Sequence, residues 1–154
     1  VIDYVYGVLN SPVFRRSARE FLKSDFPIIP IPSSDETFSA TVTFGARLRG
    51  LHLLEAPDIQ PMSSFTVTFP EVGTNVVAER RYDGDRVWIN KTQYFGCVSS
   101  EVWNYTIGGY QVTDKWLKDR KGTALSAAEV RHYQRTLTAI RKATDAVQSA
   151  PDSF

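Results

Sequence analysis

Cysteine is nearly absent from this chain: Cys97 is the only one among 154 residues. An intramolecular disulfide is therefore impossible, and a zinc site built of four cysteines is excluded. Such cysteine usage fits a cytoplasmic protein, and a cytoplasmic location is the expectation. Histidine is scarce as well. His52 and His132 lie far apart, each in or beside a helical stripe, where a lone imidazole is ordinarily a packed or solvated side chain. Long apolar runs are missing: nothing approaches the roughly 18 consecutive residues of a transmembrane helix, so no membrane partner is expected. Charge of one sign is missing too. The net charge is +1, with 42% hydrophobic and 23% charged residues. These fractions suit one folded domain with a real core, and any electrostatic argument must be local.

Catalytic signatures are also lacking. There is no Gly-x-Ser-x-Gly, no phosphate-binding loop, no dinucleotide-binding Gly-x-Gly-x-x-Gly and no His-Glu-x-x-His. Cys97, at a strand end, reads as a small hydrophobe rather than a thiolate nucleophile. Asp83 and Asp85 flank Gly84 as in a hairpin turn, not a calcium site. An enzyme in its own right is not expected. Val1 is not a methionine, and the apolar start lacks the basic region of a signal peptide. We read the chain as a piece of a longer polypeptide.

What is present has a clear order. Ile2, Val5, Tyr6 and Leu9 recur at helical spacing, which predicts a helix over about residues 2–9. Ser11-Pro12 forms a cap followed by a first-turn proline, starting a second helix to about Lys23 with Phe14, Ala18, Phe21 and Leu22 inward. The prolines between Phe26 and Pro32 forbid a helix, and this segment is expected to run extended and buried. A helix from about Ser34 to Leu54 follows, with Phe38, Val42, Gly45, Leu48, Leu51 and Leu54 as its stripe. Phe65–Phe69 alternates with period two and reads as a strand that Val76–Arg81 can pair with. Arg86–Asn90 and Gln93–Gly96 complete a small antiparallel sheet with tight turns. Short helices are expected near Val102-Trp103 and over about Thr113–Asp119. Ser126, with Glu129 in capping-box position, starts a long last helix with Val130, Tyr133, Leu137, Ile140, Thr144 and Val147 inward, and residues 149–154 are expected to fray. The fold class is α+β: helices around a small antiparallel sheet, as a single domain over 1–154.

The residues that suggest function are those of a binding surface. Between 110 and 142 the cations Lys115, Lys118, Arg120, Lys121, Arg131, Arg135, Arg141 and Lys142 outnumber Asp114, Asp119 and Glu129. Arg131 and Arg135 are one helical turn apart and share a face. Such a stripe suits a line of phosphates, although by base rates it is more often a solvated face of a terminal helix. Gly108-Gly109 permits backbone conformations closed to other residues, either for a turn alone or for a turn that also meets a ligand. At turns and strand ends stand Arg80, Arg81, Asp83, Asp85, Arg86, Asn90, Lys91, Thr92 and Gln93. Arginine, asparagine, glutamine and lysine are the side chains that read base edges through paired hydrogen bonds, although any hairpin tip is rich in them.

Three blocks then point to a family. The first is Asp3-Tyr-Val-Tyr-Gly-Val-Leu-Asn-Ser-Pro12, continuing through Arg15-Arg16, Phe21-Leu22-Lys23 and Asp25-Phe-Pro27 to Ile29-Pro30. The second is Phe44-Gly45, Leu48 and Leu51-His-Leu-Leu54. The third is Val102-Trp103, Tyr105, Ile107-Gly-Gly-Tyr110, Val112, Asp114-Lys-Trp-Leu-Lys-Asp-Arg-Lys-Gly122 and Leu125-Ser126. In these blocks, which run in order along almost the whole chain, the sequence resembles the C-terminal specificity domain of Type ISP restriction–modification enzymes. It departs from that family at Ile28, where Pro-Arg-Ile-Pro is usual.

The resemblance implies a target-recognition domain without a catalytic centre. The adenine methyltransferase, ATPase and nuclease would lie elsewhere in the parent chain. S-adenosylmethionine, ATP and Mg would serve those parts, and no cofactor would bind this one. The implied partners are double-stranded DNA and the parent's own methyltransferase domain. On this reading Lys115, Lys118, Arg120, Lys121, Arg131 and Arg135 contact phosphates, and Arg80, Arg81, Asn90, Lys91 and Gln93 read bases. Readers must differ among enzymes with different targets, so the family blocks themselves need not touch bases. The competing reading is a module that docks an acidic protein or a subunit through the basic terminal helix.

Overall fold

Ser11 separates the first two helices. Its backbone is extended, and its hydroxyl accepts from the Val13 and Phe14 N–H groups at 3.2 and 3.5 Å, with Pro12 in the first helical position. The chain thus leaves α1 (Ile2–Asn10) and re-enters α2 (Pro12–Ser17) in a single residue. The computed structural model describes residues 1–19, 23 and 26–151. They fall into two units, Val1–Ala56 with Lys142–Phe154, and Pro57–Arg141.

In the first unit the long helix α3 (Asp35–His52) starts at Ser34, whose side chain accepts from the Thr37 N–H at 3.1 Å. Asp35 and Glu36 in its first turn suit the positive end of the helix dipole. Tyr4, Gly7 and Val8 of α1 are buried, as are Thr41, Phe44, Gly45, Leu48 and Leu51 of α3. An ion pair between Arg49 Nε and Asp3 Oδ1 at 2.6 Å adds a polar clasp between the same helices.

Several expectations for this unit change. The stripe of α3 runs through Thr41 and Phe44, while Phe38 is 36% exposed and Leu54 lies past the helix end with a positive φ of 59°. Gly7 of α1 packs against the backbone at both Thr41 and Gly45, so the face that carries these two residues turns inward. The segment Phe26–Pro32 avoids helix as expected, but it is not buried: Phe26, Ile28 and Ile31 are 91%, 81% and 90% exposed. An extended chain turns only some of its side chains inward. Here Ile29 packs on the Tyr4, Val8 and Phe14 cluster, and the Tyr4 hydroxyl donates to the Pro30 carbonyl at 2.9 Å. Helix α2 ends at Ser17, followed by a turn at Ala18-Arg19; Phe21 and Leu22 of the expected stripe lie outside the described residues.

The second unit holds a three-stranded antiparallel sheet of β1 (Arg81–Asp83), β2 (Arg86–Trp88) and β3 (Tyr94–Phe95), in that order. Arg81 pairs with Trp88, Tyr82 with Val87 and Asp83 with Arg86; Val87 pairs with Phe95 and Trp88 with Tyr94. The two-residue turn Gly84-Asp85 joins β1 to β2, with Gly84 at a positive φ of 68° as a tight hairpin demands. Next come α4 (Ser100–Trp103), the hairpin β4 (Thr106–Ile107) and β5 (Tyr110–Gln111), then α5 (Val112–Lys118). The last helix, α6 (Ala127–Gln148), begins in this unit. Its capping box closes reciprocally, with Glu129 N–H donating to Ser126 Oγ at 3.1 Å and Ser126 N–H to Glu129 Oε2 at 2.9 Å.

The core of this unit joins Val87 and Phe95 of the sheet with Val102, Leu117 and Leu125, and with Val130, Tyr133, Leu137 and Ile140 of α6. Tyr133 is wholly buried, and its hydroxyl donates to the Thr113 carbonyl at 3.0 Å, so burial leaves no polar group stranded. Thr144 and Val147, further along the same helix, are only half-buried, and residues 152–154 lie outside the described residues.

Phe65–Phe69 is not a strand. Only Thr68 bridges, to Gly96, because side chains of α6 take the neighbouring backbone groups. Thr66 N–H donates to Thr138 Oγ1 at 3.1 Å, and Gln134 Nε2 donates to the Val67 carbonyl at 2.9 Å. Residues 76–79 likewise bond elsewhere: Val77 N–H to the Thr123 carbonyl, and the Ala78 and Glu79 N–H groups to that of Ile89.

Candidate functional site

The second unit gathers the basic residues of α5, the turn after it and the start of α6. They differ in how far their charge is already committed. Lys115 Nζ pairs with Asp119 Oδ2 at 2.8 Å across one helical turn. That partner holds the Asp119 carboxyl below its ordinary range. Arg120 is committed three ways: its guanidinium lies 3.7 Å over the Trp116 ring, Nε bonds Glu129 Oε1 at 3.2 Å, and Nη1 donates to the Trp116 carbonyl at 3.1 Å. Lys118, Lys121 and Arg131 are exposed and make no ion pair among the described residues. Arg135 is half-buried, with Cζ 5.8 Å from the Phe65 ring and its buried Nε lacking a hydrogen-bond partner.

Trp116 is the hub of this region. Its ring stacks on Tyr133 at 4.7 Å and on His132 at 5.9 Å, with Arg120 on a face. Desolvation and the charges of Arg120 and Arg135 push the His132 pKa below its ordinary value. Trp116 is therefore a packing element that positions cations, and a base would find its faces already covered.

The sheet residues sort in a similar way. Gln93 is fully buried: its amide donates to the Glu71 carbonyl and Asn75 Oδ1, and accepts from the Asn75 N–H at 2.7 Å and from Asn90 Nδ2 at 3.0 Å. Asn90 also donates to the Val76 carbonyl and accepts from the Thr92 and Gln93 N–H groups, closing the turn before β3. Arg80 Nε bonds Asp114 Oδ1 at 2.8 Å, with both side chains mostly covered. Lys91 is exposed at the turn.

Arg81 stands on the outer face of the sheet with its guanidinium 5.1 Å over Trp88. Arg86 shares that face and lies 4.5 Å over Tyr94. The sequence names Arg86 as a turn residue but does not announce the aromatic backing. The signal is nevertheless there: in Arg86-Val-Trp88, period two puts the arginine and the tryptophan on one face and Val87 in the core.

The turn reading of Gly108-Gly109 is realised in the β4–β5 hairpin, where both glycines have positive φ, 57° and 83°. Ile107 and Tyr110 beside them are 52% and 65% exposed. Cys97 is exposed, and no group of three or more potential metal ligands occurs among the described residues.

Uncommitted cations and an arginine-bearing sheet face, both within the second unit, have the chemistry of a binding domain. The family model of the Type ISP C-terminal specificity domain matches residues 1–148, and the chain belongs to that family. Its fold is similar to that of the ATP-dependent Type ISP restriction-modification enzyme LlaBIII bound to DNA, with a TM-score of 0.73 and 16% identity over 100% of this chain and 11% of the other. A nuclease-deletion mutant of the Type ISP restriction-modification enzyme LlaGI, in complex with a DNA substrate mimic, gives a TM-score of 0.71 and 17% identity, covering 99% of this chain and 16% of that one. A DrdV–DNA complex solved by cryo-electron microscopy gives 0.66 and 18%, covering 99% and 18%. At these identities the likeness is one of fold, and the chain spans between 11% and 18% of the length of those proteins. No curated protein matches the chain in sequence. No helix among the described residues is long and apolar enough to cross a membrane.

Proposed function

We propose that this chain, as one recognition domain, grips duplex DNA and selects a short asymmetric site on behalf of a longer restriction–modification enzyme. Membership of the specificity-domain family and the DNA-bound state of the structural relatives support the reading. The observation that carries it is the presence of Lys118, Lys121 and Arg131, exposed and unpaired among the described residues, in a chain whose net charge is only +1. These three are the foremost phosphate contacts in this reading, because a cation already holding a carboxylate gains less from a second anion. Lys115 and Arg135 assist, and Arg120 acts mainly by fixing the turn. Lys91 and Arg81 are the readers best placed to meet a base edge. Asn90, Gln93 and Arg80 hold the loops from which such readers project.

Phosphate contacts set register without carrying sequence information, and base contacts then discriminate. In the parent enzyme the methyltransferase domain, using S-adenosylmethionine, would flip and methylate an adenine in the selected site. ATP and Mg would serve its motor and nuclease parts, and the whole would act in the cytoplasm. The test is titration of the full-length protein with duplex DNA over a range of salt. Steep salt dependence together with preference for one sequence is the expected result. Shallow dependence, with tight binding of an acidic protein instead, would replace this reading with the docking-module one.

A further inference from the structure

We propose that the outer face of the β1–β2–β3 sheet reads guanine, with Arg81 and Arg86 as the readers and Trp88 and Tyr94 as the plates that hold them. The inference rests on the DNA-recognition reading above and goes beyond it by adding Arg86 and by naming the base.

The register builds the surface. Arg81 faces Trp88 across β1–β2, and Trp88 faces Tyr94 across β2–β3, so three consecutive strands contribute one row. Arg86 lies two residues before Trp88 on the same face. Gly96, which directly follows β3 and would continue its register opposite Arg86, has no side chain and leaves room for Arg86 to lie over Tyr94. A Cβ at Gly96 would stand 3.2 Å from Tyr94 Cε2 and 2.7 Å from Thr68 Oγ1. The two rings are 4.7 Å apart, and each carries one guanidinium.

Stacking fixes the plane of a guanidinium while leaving its N–H edge outward. A long side chain otherwise loses rotamer freedom when it binds, and here much of that loss is already met. The edges are open, since the side chains of Arg81 and Arg86 are 48% and 49% exposed. Arg81 spends only Nη1, on Asp83 at 3.3 Å, and Asp83 is itself 73% exposed. Arg86 Nε is 3.8 Å from Asp85, beyond hydrogen-bond range. Each arginine thus retains the two-pronged donor edge that matches guanine O6 and N7.

Charge decides between bases and phosphates. The hairpin Arg81–Arg86 carries two arginines and, in Asp83 and Asp85, two aspartates, so its net charge is zero. A neutral hairpin makes a poor clamp for a polyanion and offers no net attraction to an acidic protein. For a G·C pair it is well composed, because the arginines donate to guanine while a carboxylate can accept from the cytosine amino group. A two-stranded ribbon also fits the width of the major groove. Diagonal neighbours on adjacent strands are about 7–8 Å apart. Against a step of about 3.4 Å per base along one strand, that spacing places the two guanines roughly two steps apart.

The experiment selects preferred duplexes from a random library with the full-length protein, then repeats the selection with Arg81→Ala, Arg86→Ala and the corresponding lysine variants. The expected consensus contains two G·C pairs within three base pairs. Each alanine variant should relax one of them by about 5- to 150-fold while the rest of the consensus is kept. Lysine, a point donor without the fork, should fail to restore the preference. Unchanged preference at every position, with all variants binding, would overturn the guanine assignment and leave DNA recognition standing. Uniform weakening restored by lysine would make these residues phosphate contacts and would equally overturn it. A wild-type protein that selects no duplex would overturn both readings.

Discussion

Gly7 of α1 and Gly45 of α3 meet backbone to backbone. A Cβ on Gly45 would stand 2.7 Å from the Gly7 nitrogen and would overlap the Asp3 carbonyl oxygen. A Cβ on Gly7 would overlap the Thr41 carbonyl oxygen in turn. Two effects oppose each other in Gly45→Ala. Alanine is favoured over glycine in a helix interior by about 1 kcal/mol. Overpacking usually costs about 1–3 kcal/mol, and here the atoms in the way are backbone, which cannot rotate aside. The clash wins, so Gly45→Ala should lower the denaturant midpoint by the equivalent of ~2 kcal/mol or more. An unchanged midpoint would show that the helices are further apart than described.

Gln93 separates a structural role from a reading one. Its buried amide meets four partners, and Gln93→Leu leaves the Asn75 N–H without its acceptor and the Asn90 amide with only the Val76 carbonyl. An unsatisfied buried polar group costs about 1–3 kcal/mol, so a loss of ~2–4 kcal/mol in stability is expected. Among molecules that remain folded, the preference for any DNA position should be unchanged. Thermal melting and a selection experiment on the same variant check the two halves. A stable variant with altered sequence preference would return Gln93 to the readers.

Lys118 and Arg120 lie two residues apart and should behave in opposite ways. Lys118 makes no hydrogen bond or ion pair among the described residues and acts on Asp119 only at longer range, so Lys118→Ala should weaken binding to all duplexes alike and lower the salt slope by ~0.9 per lost contact, with little change in stability. The same holds for Lys121→Ala. Arg120 is stacked on Trp116 and bonded to Glu129, and Arg120→Ala should cost ~1–3 kcal/mol of stability. Equilibrium unfolding beside a salt titration for each variant distinguishes the roles. A salt slope that Lys118→Ala leaves untouched would remove that residue from the phosphate contacts.

These contrasts show where sequence reading succeeds. Local signals carried through: Ser11-Pro12, Ser34 and the Ser126–Glu129 box each cap a helix as their side-chain chemistry dictates. Failures came where a distant element decides. Phe65–Phe69 has the alternation of a strand, yet Gln134 and Thr138 of α6, 67 and 72 residues from their partners, take its backbone groups. The inward face of α3 runs through Thr41 because Gly7 of α1 packs against the backbone there. The cationic segment was legible as composition. Which cations are free depends on contacts such as Arg120 on Trp116, which spacing alone does not reveal.

Glu129 provides a pH test of the last helix. Its carboxylate accepts from the Ser126 N–H and then from Arg120, and these bonds hold its pKa below the ordinary value near 4.5. The folded state therefore binds the proton less readily than the unfolded chain. The resulting contribution to stability is fully present above about the ordinary value and is lost as pH falls through the lower, folded value. Glu129→Gln cannot titrate, although glutamine still suits the third position of a capping box. Wild type should be more stable than this variant at neutral pH, and the gap should close on acidification below about pH 4.5. The comparison is needed because Asp3, Glu36 and Asp119, also held low, titrate in the same range in both proteins. Melting temperatures of the pair between pH 3 and pH 7 decide it, with the pH bounds set by the ordinary carboxylate range of about 4. A gap constant across that range would mean that the capping carboxylate contributes nothing through its charge.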